Sequence, residues 1–115
     1  MHSKHGRLEG AILTTLWKLE KNGLRINTVK NVFENMDDEQ RAYTTIKTVM
    51  DRLCSKHMLI REKRGKKFYY RTAYSNQEII KNSLNEISRR YCHGNLNELF
   101  NILDSMRKSV ELVGA

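Results

Sequence analysis

Two sets of residues in this chain could do chemistry. The first is a group of possible metal ligands or nucleophiles: Cys54-x-x-His57, one helical turn apart, and the adjacent pair Cys92-His93. Adjacent Cys and His cannot easily chelate one ion within a helix, and neither cysteine belongs to a Cys-x-x-Cys pair. A Cys-His hydrolase would also need a nucleophile elbow or a glycine-rich oxyanion loop, and the sequence has neither. No metal, cofactor or catalytic residue is therefore expected; a thiol- or metal-responsive regulator is kept as an alternative. The second set is Thr44, Thr45, Lys47 and Thr48. Threonine hydroxyls can bond base edges or phosphates, their methyls can touch thymine, and lysine reaches guanine O6 and N7 or phosphate. That chemistry is nucleic-acid recognition.

The placement of charge points the same way. The 115-residue chain has a formal net charge of +8. Residues 41 to 74 hold ten Lys or Arg against two acids, Asp51 and Glu62, which is the whole excess; the other 81 residues carry eleven of each sign. A basic block in a neutral remainder is the footprint of a polyanion binder. Asp51 is the contrary sign within it, since a carboxylate at phosphate range is repelled. The hydrophobic and charged fractions, 39% and 30%, suit a soluble folded chain. The longest apolar run falls well short of the ~18 residues a membrane span needs, and MHSKHGRLEG has no signal-peptide core. Two cysteines are too few for a disulfide scaffold, which makes a reducing cytoplasm the expected location.

These residues must be positioned by elements, and hydrophobic spacing predicts them. Leu8, Ile12, Leu16 and Leu19 define a first helix over about 7–22, with Leu13 and Trp17 on a second packed side and Asn22-Gly23 as its stop. Asn27-Thr28 offers a cap for a short second helix with Val29, Val32, Phe33 and Met36 inward. The acidic run Asp37-Asp38-Glu39 reads as a turn and a start for the third helix, because carboxylates suit helix N-termini. That third helix is expected from about Tyr43 to Lys56. Ile46, Val49, Met50 and Leu53 share its inward arc, and Thr44, Thr48, Asp51 and Ser55 the opposite side. LIREK and KKFYYRT around Arg64-Gly65 then read as a β-hairpin whose tip, Lys63 to Lys67, holds four positive charges in five residues. Tyr69 and Tyr70 fall on opposite strand faces, so one should be core. Ser75-x-x-Glu78 opens a helix with an Ile80, Leu84, Ile87, Tyr91 seam, His93-Gly94 ends it, and Asn95-x-x-Glu98 caps another bearing Leu96, Leu99, Phe100, Leu103, Met106 and Val110.

Three helices, a basic hairpin and two amphipathic helices describe a mainly α chain with a small β wing: a winged helix-turn-helix plus C-terminal dimerisation helices. Residues 1–74 would form the DNA-binding domain and 75–115 the dimerisation region. In such folds the third helix enters the major groove and the wing touches the backbone. The expected DNA-binding set is Arg41, Tyr43, Thr44, Thr45, Lys47, Thr48, Arg52, Arg64, Lys66 and Lys67. The expected dimerisation set is Ile80, Leu84, Ile87, Tyr91, Leu99 and Leu103. A winged domain used only for protein interaction is the alternative from another class.

The runs AYTTIKTVMDRL, REKRGKKFYYR, ILTTLW and ISRRYCHGNLNELFN resemble the penicillinase and methicillin-resistance repressors, the BlaI/MecI family, with the copper-responsive CopY-type repressors as cousins. The likeness spans roughly residues 8 to 102. It implies a homodimeric, non-enzymatic repressor on a dyad-symmetric DNA operator, with Thr44, Thr45, Lys47 and Thr48 facing the groove and Arg64, Gly65, Lys66 and Lys67 in the wing. In antibiotic-responsive members a membrane sensor protease triggers cleavage at an Asn-Phe bond. The matching bond here is Asn101-Ile102, and the C-terminal Cys-x-Cys pairs of the copper type are missing. The chain also ends near where a further dimerisation helix would start, so a smaller dimer surface is expected.

Overall fold

A computed structural model describes residues 6–37 and 41–114, with side chains as far as 110. The elements run in the order α1 (Gly6–Lys21), α2 (Val29–Asn35), α3 (Tyr43–Ser55), β1 (Leu59–Arg64), β2 (Lys67–Thr72), α4 (Asn76–Tyr91) and α5 (Leu96–Gly114). They divide between two compact units, Met1–Asn76 and Gln77–Ala115.

In the first unit, α1, α2 and α3 surround a core of Ile12, Leu13, Leu16, Val29, Val32, Ile46, Val49, Met50, Leu53, Leu59 and Tyr70. The inward arc expected of α3 is buried in full. Four β-branched residues between Thr44 and Thr48 disfavour a helix by about 0.5 kcal/mol each. Burial of Ile46, Val49, Met50 and Leu53 contributes about 1.5–3 kcal/mol per side chain, so packing decides the conformation. Phe33 departs from expectation: it is 38% exposed and meets Tyr43 edge-on, ring centroids 5.8 Å apart. Met36 is only partly buried and forms the C-cap of α2 rather than part of it. The start of α3 also differs, for its N-cap is Ala42 with no side-chain bond; Asp38 and Glu39, read as its acidic start, lie outside the described residues.

Helix ends are closed where the sequence punctuates. At the end of α1, Gly23 at φ 99° lets Leu24 N–H reach Leu19 C=O at 2.9 Å and Gly23 N–H reach Glu20 C=O at 3.0 Å. The same pair of bonds closes α3, from Met58 to Leu53 and from His57 to Cys54, with His57 itself at φ 63°. Thr28 caps α2 by accepting from Asn31 N–H at 3.1 Å.

The wing is a two-stranded antiparallel hairpin in register from Leu59↔Thr72 to Arg64↔Lys67. Gly65 occupies the first turn position at φ 63°, a region open to glycine without steric cost. Two anchors hold β2 to the helices. Asn27 and Tyr70 exchange backbone hydrogen bonds at 2.8 and 2.9 Å, and the Glu20 carboxylate accepts from the Thr72 N–H and hydroxyl at 2.9 and 2.7 Å. Trp17 Nε1 donates to Tyr74 C=O at 3.0 Å, and Lys56 pairs with the largely buried Glu9 at 2.9 Å.

In the second unit, Asn95 Oδ1 caps α5 by accepting Glu98 N–H at 3.2 Å. Cys92 and Leu99 are buried, as is Ser88, whose hydroxyl has no hydrogen-bond partner among the described residues. Ile80, Ile87, Tyr91, Phe100, Leu103, Met106 and Val110 are exposed.

Asn27 is buried, its amide donating to Leu24 C=O at 2.8 Å while its oxygen accepts from Asn31. Asn27→Ala strands both partners and is expected to cost about 1–3 kcal/mol, read as a lower denaturant midpoint with an unchanged m-value.

Candidate nucleic-acid interface

The outward side of α3 presents Thr44, Thr45, Lys47 and Thr48, all exposed, with Arg52 one turn further on. Arg41 precedes the helix and is exposed, and Tyr43 stands at its N-terminus, 44% exposed against Phe33. Ala42 offers no side-chain acceptor to the first turn of α3, where Thr45 N–H instead bonds back to Ala42 C=O at 3.0 Å.

The wing supplies Arg64, Lys66 and Lys67, all exposed. Lys66 and Lys67 have no carboxylate within 4.0 Å among the described residues, whereas Arg64 Nε lies 2.9 Å from Glu62 Oε2. The face of the wing that carries Tyr70 also carries Phe68, with the Arg61 guanidinium 4.4 Å from the Phe68 ring centroid. That stack shields one side of the ring and orders the arginine.

Asp51, the acid that fitted the basic block least well, is fully engaged. Tyr70 hydroxyl donates to Oδ1 at 2.9 Å, Arg61 Nη1 to Oδ1 at 3.3 Å, and Lys47 Nζ to Oδ2 at 3.0 Å. Its charge is thus spent inside the protein, between α3 and the wing, instead of facing outward as an isolated carboxylate. Lysine has three donors, so Lys47 can hold Asp51 and still offer two N–H groups outward. Burial alone would raise the Asp51 carboxyl, but the bonds from Lys47 and Tyr70 and the charges of Lys47 and Arg61 outweigh it and hold it below its ordinary 3.8. Burial, followed by the Asp51 hydrogen bond, pushes the Tyr70 phenol up to about 12. Spacing in the sequence could not reveal this cluster, since its members come from three elements.

Both cysteines are free thiols. Cys54 is half-buried in α3, burial pushes its thiol up and away from the reactive thiolate, and Cys92 is buried. Among the described residues, no three His, Cys, Asp or Glu side chains gather into a metal site. Of the residues expected to pair chains, Ile80, Ile87, Tyr91 and Leu103 are exposed and Leu84 is half-buried, while Leu99 is buried within the single chain.

A carboxylate held below its usual range stabilises the fold above pH ~4 and loses that contribution as pH falls through its folded-state value. Asp51→Asn is therefore expected to lower stability at pH 7 and to converge on the wild type as the pH falls through the depressed folded-state value of Asp51. Tyr70→Phe, which removes one bond to a charged acceptor, is expected to cost roughly 1.5–3 kcal/mol at pH 7. Denaturant titrations across pH read both.

No curated protein matches the chain at the significance sought. The penicillinase repressor family profile, by contrast, matches residues 5–110, nearly the whole chain and all of the elements that build this surface. Five helices with a two-stranded hairpin agree with the winged helix and C-terminal helices that this family implies. No helix among the described residues is long and apolar enough to cross a membrane. The chain belongs to the penicillinase repressor family and is a DNA-binding transcriptional repressor.

Proposed function

We propose that the chain acts as a homodimer on a dyad-symmetric operator, with α3 in the major groove and the wing on the flanking backbone. The observation that carries this reading is the outward face of α3. Thr44, Thr45, Lys47 and Thr48 are exposed together, next to the exposed wing lysines, and Asp51 of the same helix is paired with Lys47 and Arg61 and accepts from the Tyr70 hydroxyl. In the groove these four side chains would read base edges. Arg41, Tyr43 and Arg52 at the flanks of α3, and Arg64, Lys66 and Lys67 in the wing, would grip phosphates, adding affinity and salt dependence but little sequence choice. The start of α3, which has no side-chain cap, would turn the Tyr43 and Thr44 N–H groups toward a phosphate. The first unit then serves as the DNA-binding domain and the second as the dimerisation region.

Dimerisation is supported by the apolar side chains that the second unit leaves exposed, among them Ile80 and Ile87 of α4 with Tyr91 at its end, 73% exposed. Contiguous apolar patches of this kind on a soluble chain mark interaction surfaces. A two-fold operator needs two copies, and one small module binds DNA only modestly. Repression by occupancy of DNA requires no catalysis, and a DNA partner puts the protein in the cytoplasm. A sensor-protease route through Asn101-Ile102 would require opening α5, because that bond lies within the helix, and it forms no part of the proposal.

DNA upstream of the coding region is expected to shift in a salt-sensitive, sequence-selective manner. Lys47→Ala is expected to cost about 1–3 kcal/mol and relax selectivity. Lys66→Ala should weaken all sequences alike and reduce the salt slope by about 1. Equal binding to random DNA at every salt concentration would rule the reading out. Ile87→Asp and Tyr91→Asp are expected to halve the sedimenting mass while leaving the helical content intact; an unchanged mass would remove the dimer seam.

A further inference from the structure

Between α2, α3 and the first residues of β2 lies a cavity of about 290 Å³. Val29, Tyr43 and Phe68 supply its apolar lining, and Lys30, Lys47 and Lys67 bring one lysine from each of the three elements. Lys47 has Asp51 as a partner, but Lys30 and Lys67 have no carboxylate within 4.0 Å among the described residues. Two of the apolar walls are aromatic rings, Tyr43 and Phe68, each still more than a third exposed.

Such a lining selects its ligand by exclusion. A bare phosphate would satisfy the lysines and leave the aromatic walls in contact with water. A neutral aromatic would cover the walls and leave two ammonium groups uncompensated. A flat aromatic body with one anionic end meets both demands, since rings stack favourably on Tyr and Phe and a carboxylate accepts charge-assisted bonds from lysine. The volume lies at the low end of small-molecule sites, about 300–1,000 Å³, which restricts the body to one or two rings.

We propose that this cavity binds a one- or two-ring aromatic monocarboxylate, and that its occupancy weakens DNA binding. The second half rests on the proposed function, because Lys47 and Lys67 belong to both surfaces; the first half does not. Coupling of this kind is reciprocal, so DNA must also expel the ligand.

The test uses the full chain, isotope-labelled, titrated with 1-naphthoate and in parallel with 1-naphthalenemethanol and inorganic phosphate. Saturable amide shifts confined to residues 28–30, 43–47 and 67–70 are expected with naphthoate alone. Lys30→Ala and Phe68→Ala are each expected to weaken binding about tenfold, ~1.4 kcal/mol; Lys30 is exposed, so its variant guards against a folding defect in the other. Naphthoate at a concentration that raises the apparent Kd for duplex DNA about tenfold in the wild type should raise it only about twofold in Lys30→Ala. Non-saturating shifts, or shifts matched by phosphate or by the alcohol, would overturn the site. Saturable binding that leaves DNA affinity unchanged would overturn the coupling. A ligand-free chain that binds no DNA would sink the repressor reading instead, and the amide titration would still decide the cavity.

Discussion

The Tyr70 hydroxyl, donating to Asp51 across the junction of wing and third helix, is the contact on which the rest of the first unit depends. A two-stranded hairpin is marginal by itself in water and takes its orientation from what it packs against. Tyr70 fixes this one in three ways: its ring is 1% exposed in the core, its backbone is bridged to Asn27, and its hydroxyl meets a carboxylate on α3. Asn27 in turn leads directly into the Thr28 cap of α2. One residue of β2 thus ties together the wing, the third helix and the start of the second helix. The position of the basic hairpin tip relative to the exposed threonines follows from it.

The same cluster resolves an electrostatic conflict. A surface made for a polyanion gains nothing from a bare carboxylate, yet Asp51 sits in the middle of the basic block. Ringed by Lys47, Arg61 and Tyr70, it becomes an internal counter-charge that holds two cations and a phenol in place. Exposed pairs of this kind contribute little stability singly, but a network with one half-buried acceptor shared by three donors orders side chains that would otherwise be mobile. For a surface proposed to match the spacing of a duplex, ordering is the larger gain. Lys66 and Lys67, by contrast, have no carboxylate within 4.0 Å among the described residues, and a phosphate could fill that place.

The helical unit follows a different economy. Few of its side chains are buried, Ser88, Cys92 and Leu99 among them, and Ser88 contributes a hydroxyl without a partner among the described residues. Its ordered helix ends come from local bonds at His93-Gly94 and Asn95, while most of its large apolar residues, Leu99 excepted, stay exposed or half-buried. A pair of helices with so small an interior of its own gains most from burial against another surface, which is the physical basis for reading it as an association module.

The sequence by itself determined the elements and the chemistry of the surface. A 3.6-residue period placed Ile46, Val49, Met50 and Leu53 inward and so left Thr44, Thr45, Lys47 and Thr48 outward; Gly23 and Gly65 marked turns that need positive φ, and charge counting isolated residues 41–74. These are local or one-dimensional properties, and local rules suffice for them. Only the tertiary structure decided the role of Asp51, which of Tyr69 and Tyr70 is core, the exposure of Phe33, the burial of Leu99, and the meeting of Lys30 with Lys47 and Lys67. Phe33 shows why: helical phase put it near the inward arc, but the core was already filled by Val29 and Val32, and Tyr43 offered a ring to pack on at the surface. Contacts among residues tens of positions apart depend on how the elements dock, and docking is set by packing volumes that no single segment encodes.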